Sequence, residues 1–251
     1  MKKIKPPKSS ELATIVEQYS PLLKEIRKRI ILTLYLFIIA AFVGFISYEK
    51  IVGFLVGTLS LDGLNIVFTS PFQFINLAFS CGLTTGLVVA FPFFIAQVIH
   101  FLKPALKKPE YKLILRATPF SVFLFIIGFS FGAFIMKWQI KIFLERSLAL
   151  GIGNILDISG LLSTILIASI ILGISFQFPI VLLLLLRLKI VEHKQVSQKR
   201  RWVYLITFLF TILLPFDSIL TDILLSLPLI FLFESTLFIG RFIVPSTPKT
   251  K

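Results

Sequence analysis

Hydrophobic residues along this chain come in long uninterrupted runs, without the alternation or the half-polar helical stripe of a water-soluble domain. Five runs, at residues 30–48, 75–102, 117–138, 161–186 and 219–239, are almost wholly apolar. A helix needs about 20 such residues to cross roughly 30 Å of hydrocarbon, so each run predicts a membrane-spanning helix. A sixth run, 202–214, makes only about 20 Å of helix. Pro215-Phe216-Asp217-Ser218 then leads straight into the last run, and the two together predict a short hairpin in a locally thinned or tilted bilayer. The predicted fold is an all-α integral membrane protein of six transmembrane helices, forming one domain over residues 30–239.

Polar residues collect in the segments between these runs, and their signs predict an orientation. Of the 26 lysines and arginines, all but Lys50, Lys137, Lys141 and Arg146 lie in the N-terminal tail, around Lys107 and Lys108, between Arg187 and Arg201, or in the C-terminal tail. Short cytoplasmic loops gather cations and translocated loops do not, so both termini are predicted to be cytoplasmic. Residues 1–29 form the N-terminal tail and 240–251 the C-terminal one. In the first, Ser10 and Glu11 precede apolar Leu12, Ile15 and Val16, with Glu17 and Gln18 polar. That pattern predicts an amphipathic helix at the membrane surface, ended by Pro21. No apolar core with a cleavage site follows the basic start, so the segment does not read as a signal peptide.

Composition agrees with a membrane protein. The 251 residues are 57% hydrophobic and 15% charged, with a mean hydropathy of +0.96, whereas soluble domains carry about 25% charged residues. The net charge of +14 is accounted for by topology and by contact with anionic lipid headgroups, not by nucleic acid. One cysteine and two histidines exclude an internal disulfide and a Cys/His metal site, and no cofactor is expected. No Gly-x-x-x-x-Gly-Lys-Ser/Thr loop is present, so the chain is not predicted to hydrolyse nucleotides.

Several residues are too polar for lipid. Glu234 lies within the last run, where a central carboxylate costs about 2.5–3.5 kcal/mol; Thr221 and Asp222 lie one turn into that run, and Asp217 in the turn before it. Gln177 precedes Phe178-Pro179 in the fourth run, where the proline frees a backbone carbonyl that a side-chain amide can satisfy. Each reads either as helix packing or as part of a polar path. Gly82 with Gly86, and Gly128 with Gly132, have the spacing that lets helices approach closely, within the chain or between copies. In the cationic segments Glu25 and Glu110 stand among lysines and arginines. They either neutralise their neighbours or grip guanidinium groups, whose planar fork matches a carboxylate.

At these residues the chain resembles the TatC family, the multispanning receptor subunit of the twin-arginine protein translocase. Leu22-Leu23-Lys24-Glu25-Ile26-Arg27-Lys28-Arg29 matches the family's His-Leu-x-Glu-Leu-Arg-x-Arg at Glu25, Arg27 and Arg29. Thr69-Ser70-Pro71-Phe72, the stretch 97–110, Gly173 to Pro179, and Leu214-Pro215-Phe216-Asp217 followed by Pro228 and Phe233-Glu234 are similar to further family segments. The chain departs from the pattern at Leu22, where the family has histidine, at Gln177, where it has glutamate, and at Thr221, where it often has glutamine.

The resemblance implies a non-enzymatic core receptor that binds twin-arginine signal peptides at its cytoplasmic face through Glu25, Arg27, Phe101, Leu106 and Glu110. It implies export of folded proteins driven by the proton-motive force, with TatA-type and TatB-type single-span subunits docking near the fifth and sixth spans. Gln177, Asp217, Thr221, Asp222 and Glu234 are the intramembrane polar and partner-docking candidates. Self-association and contact with membrane lipids are also expected, in a bacterial inner membrane or a plastid thylakoid. A second reading is a small-solute or ion transporter that uses Glu234, Asp222 and Gln177 as a polar path.

Overall fold

The computed structural model describes residues 9–59, 65–67, 70, 72–102, 108–150, 155–187, 190–214 and 219–243. In chain order the described elements are α1 (Ser9–Ile46), α2 (Tyr48–Leu59), β1 (Asn65–Val67), α3 (Gln73–Leu102) and α4 (Lys108–Ala149). They continue with β2 (Ile155–Asp157), α5 (Ile158–Ser175), α6 (Phe178–Arg187), α7 (His193–Gln198), α8 (Arg200–Ile212) and α9 (Ile219–Ile243). Five segments are long and apolar enough to cross a membrane: Lys24–Ile46, Gln73–His100, Thr118–Ser147, Ile158–Arg187 and Ile219–Arg241. They coincide with the five long runs of the sequence. The sixth run is α8, whose 13 residues fall short of that length.

The bundle turns large apolar side chains outward as well as inward. Ile39, Phe42, Phe123, Phe134 and Phe231 are all exposed. Lipid tails are as apolar as these side chains, so the helices associate through close packing and buried polar contacts rather than by hiding hydrophobic surface. Glycine makes the closest contacts. A Cβ on Gly82 would stand 2.8 Å from the Ala41 carbonyl oxygen of α1, and one on Gly132 would stand 2.7 Å from Ser169 Cα of α5. Gly86 likewise faces Phe37 and Gly128 faces Phe176. Both glycine pairs therefore serve α1–α3 and α4–α5 packing inside the chain.

A buried cluster of Leu77, Cys81, Ile135, Leu162, Ile165 and Leu225 joins α3, α4, α5 and α9. One end of the bundle is capped. Helix α2 packs on the cluster through Tyr48, Ile51, Val52, Leu55 and Val56, and Lys137 Nζ donates to the Thr58 carbonyl at 3.2 Å. β1 and β2 pair in parallel, Asn65 opposite Ile155 and Val67 opposite Asp157. Asp157 then caps α5, its carboxylate accepting from the backbone N–H groups of Ser159 and Gly160 at 3.1 Å each, as an N-cap aspartate does.

The structure differs from the sequence pattern in three places. Helix α1 continues through Pro21. Proline removes one N–H donor and crowds a carbonyl, and a helix of 38 residues absorbs that local loss. The region after the first span is the helix α2 and not an open loop. The fourth span is broken: α5 ends at Ser175 and α6 begins at Phe178, because Pro179 lacks the N–H that would bond the Ser175 carbonyl.

Candidate functional site

At the end of the bundle opposite α2, the start of the first span lies against the last turns of α3. Between them is a cleft of about 480 Å³ lined by Glu25, Lys28, Arg29, Leu32, Ala96, Gln97 and His100. Spacing explains the α1 wall, since positions 25, 28, 29 and 32 fall on one helical face. Glu25 is ion-paired with Arg29 one turn on. The glutamate stands N-terminal to its cation, the favourable order for such a pair. Arg29 also donates from Nη1 to the Gln97 carbonyl of α3 at 3.0 Å, so one guanidinium bridges two helices. Its side chain is only 15% exposed against 47% for Glu25.

Among the predicted peptide-binding residues, the structure places Glu25 in this cleft and leaves Arg27 exposed and outside its lining. Phe101 lies in the last turn of α3 and Glu110 in the first turn of α4, but their side chains, like Leu106 altogether, lie outside the described residues. Sequence reasoning missed Lys28, Gln97 and His100 as lining residues, and it counted Arg29 as a motif position without assigning it to the site. For Arg29 the signal was present, an opposite charge four residues after Glu25. For Gln97 and His100 it was absent, because only the packing of α3 on α1 brings them there.

The intramembrane polar residues fall into separate settings. Gln177 is 7% exposed at the α5–α6 break. Ser121 Oγ of α4 donates to Gln177 Oε1 at 2.6 Å, and Gln177 Nε2 donates back to the Ser121 carbonyl at 3.1 Å and to the Gly173 carbonyl at 3.5 Å. The amide so serves the backbone that the break leaves open, while pinning α4 to it.

Glu234 accepts from the Tyr204 hydroxyl at 2.6 Å and pairs with Arg200 Nη1 at 3.5 Å. Both partners belong to the first turns of α8, which removes the cost of an isolated carboxylate. Thr221 and Asp222 are buried near the start of α9, and Asp222 Oδ1 has no hydrogen-bond partner among the described residues. Asp217 lies outside the described residues. About 18 Å of helix separates Asp222 from Glu234, and among the described residues no hydrogen bond or ion pair links Gln177, Asp222 and Glu234. Nor do the described residues hold a group of three or more His, Cys, Asp or Glu arranged for a metal.

Comparison with known proteins bears on the whole of this arrangement. The family described as Sec-independent protein translocase protein (TatC) matches residues 21–228. The chain is 27% identical over 228 residues to the Sec-independent protein translocase protein TatC of Carboxydothermus hydrogenoformans, covering 89% of this chain and 92% of that one. To the protein TatCy of Bacillus subtilis it is 28% identical, covering 86% of each. A crystal structure of a twin-arginine translocase receptor, TatC, in DDM shares the fold with a TM-score of 0.78 at 24% identity, covering 88% of this chain and 99% of that one. The chain belongs to the TatC family of Sec-independent protein translocase proteins.

Proposed function

We propose that this protein is the core receptor of a twin-arginine translocase, binding the paired arginines of signal peptides at the cleft between α1 and α3. The observation that carries the reading is the Glu25 carboxylate in a walled cleft at the cation-rich end of the bundle. There a guanidinium finds a bidentate acceptor that an ammonium cannot use equally. The relatives support it: the matched family is one of protein translocases and not of enzymes, and the crystal structure that shares the fold is named a twin-arginine translocase receptor. Glu110, in the first turn of α4, enters the proposal as a second carboxylate near that end.

In the same proposal both termini are cytoplasmic, α8 is the short sixth span, and the protein sits in a bacterial inner membrane. The bacterial relatives support that setting. Folded cargo is exported at the expense of the proton-motive force together with TatA-type and TatB-type subunits, which dock near α8 and α9. The test is binding of a twin-arginine signal peptide to the protein in nanodiscs, beside a twin-lysine peptide and the Glu25→Ala/Glu110→Ala double variant. Tight binding lost in both controls is expected. Equal binding in all three would reduce the glutamates to ordinary surface charges.

A further inference from the structure

The acidic group of the cleft is engaged from within the protein. Among the described residues of its lining only Glu25 is acidic, while Lys28 and Arg29 are both cationic. The Glu25 carboxylate is already held by Arg29, and the Arg29 guanidinium also bonds the Gln97 carbonyl. Each of these acceptors is what an incoming arginine would seek: a carboxylate for its fork and a backbone carbonyl for a remaining N–H.

We infer that Arg29 is an internal stand-in for the ligand's guanidinium, latching Glu25 and α3 together, and that a twin-arginine segment enters by displacing it. The inference rests on the proposed reading of the cleft and gives Arg29 a role in its affinity. Exchange raises the threshold for every cation. A second guanidinium recovers the same planar, two-donor geometry that Arg29 gives up, whereas an ammonium is a point charge without the fork and recovers less. Arg29 therefore sets a threshold that every cation has to overcome, while the fit of a planar guanidinium on the Glu25 carboxylate sets the preference for arginine over lysine. It does so as a positioning residue, through Glu25. No atom of Arg29 needs to touch the bound peptide.

The experiment compares the full chain in nanodiscs as wild type, Arg29→Gln, Arg29→Lys and Glu25→Gln, titrated with twin-arginine, twin-lysine and sequence-scrambled peptides. Arg29→Gln is expected to tighten twin-arginine binding by about fivefold, the size of one partly exposed charge pair. It is expected to tighten twin-lysine binding by the same factor, because both peptides displace the same group, so that the ratio between them is kept. A purely structural role would loosen the packing of α1 on α3 and would tighten neither. Unchanged or weakened binding of the twin-arginine peptide by Arg29→Gln overturns the latch, with Arg29 then serving only to hold the helices together. Where Arg29→Gln does not fold, Arg29→Lys carries the same test. It keeps the charge without the fork, must also tighten twin-arginine binding, and overturns the latch if affinity is unchanged. Failure of the receptor reading looks different: the wild type would bind the scrambled peptide as well as the twin-arginine one, and Glu25→Gln would change nothing.

Discussion

A single amide shows how this bundle handles polarity in lipid. Gln177 sits where the fourth span breaks, and its side chain both accepts from and donates to Ser121 on the facing helix. Replacing it by leucine leaves the Ser121 hydroxyl and two backbone carbonyls without that amide, at about 1–3 kcal/mol for a buried unsatisfied group. A lowered midpoint of thermal unfolding in detergent is the expected result. Ser121→Ala removes one partner and is expected to cost less. Gln177 stands where the resemblance places a glutamate, and here the position holds a neutral amide bonded to Ser121 and to the Gly173 carbonyl. Glu234 shows the other solution, a carboxylate paired with Arg200 and Tyr204. Its polarity was plain in the sequence, but its partners were not, since they lie some 30 residues earlier and meet it only because α8 packs on α9.

Helices meet here with backbone close to backbone, and glycine decides where. Gly132→Leu sets a side chain against Ser169 of α5 and Gly82→Leu sets one against Ala41 of α1; each is expected to cost about 1–3 kcal/mol or more by overpacking. The readout is the same unfolding midpoint, together with faster proteolysis of α1 for Gly82→Leu. Gly53 of α2 is the opposite case. Nothing lies within 4 Å of its added Cβ, so Gly53→Ala is expected to stabilise by up to about 1 kcal/mol through helix propensity alone. Helix α2 was itself legible. Positions 48, 51, 52, 55 and 56 carry the apolar face that packs on the core, at helical spacing, yet the segment reads as loop when only membrane-length runs are counted. The parallel strands β1 and β2 were not legible, because three-residue pairings depend on two loops being brought together by the whole bundle.

For the molecule as a whole, the long spans could be read directly, since a membrane imposes a length that few other structures require. The sixth could not be settled by length, as α8 shows. Orientation rests on charge, and it has a direct test. With Cys81 replaced by alanine, Leu150→Cys and Lys194→Cys place exposed thiols beyond opposite ends of the bundle. In right-side-out vesicles an impermeant maleimide is expected to label position 150 at once and position 194 only after permeabilisation; the reverse order would invert the proposed topology. Helix α4 links these two sides in one piece. Its 42 residues measure about 63 Å, against about 40–45 Å for a bilayer with its headgroups, so it projects into water. It is held at several levels, by Ser121 against Gln177, by Gly128 and Gly132 against α5, and by Ile135, Met136 and Ile140 in the core. Glu110 rides on one tip and Ala149, a few residues before β2, on the other. The two ends of the bundle are thus joined by one helix fastened at several levels, and a displacement of one tip reaches the other only by disturbing those contacts.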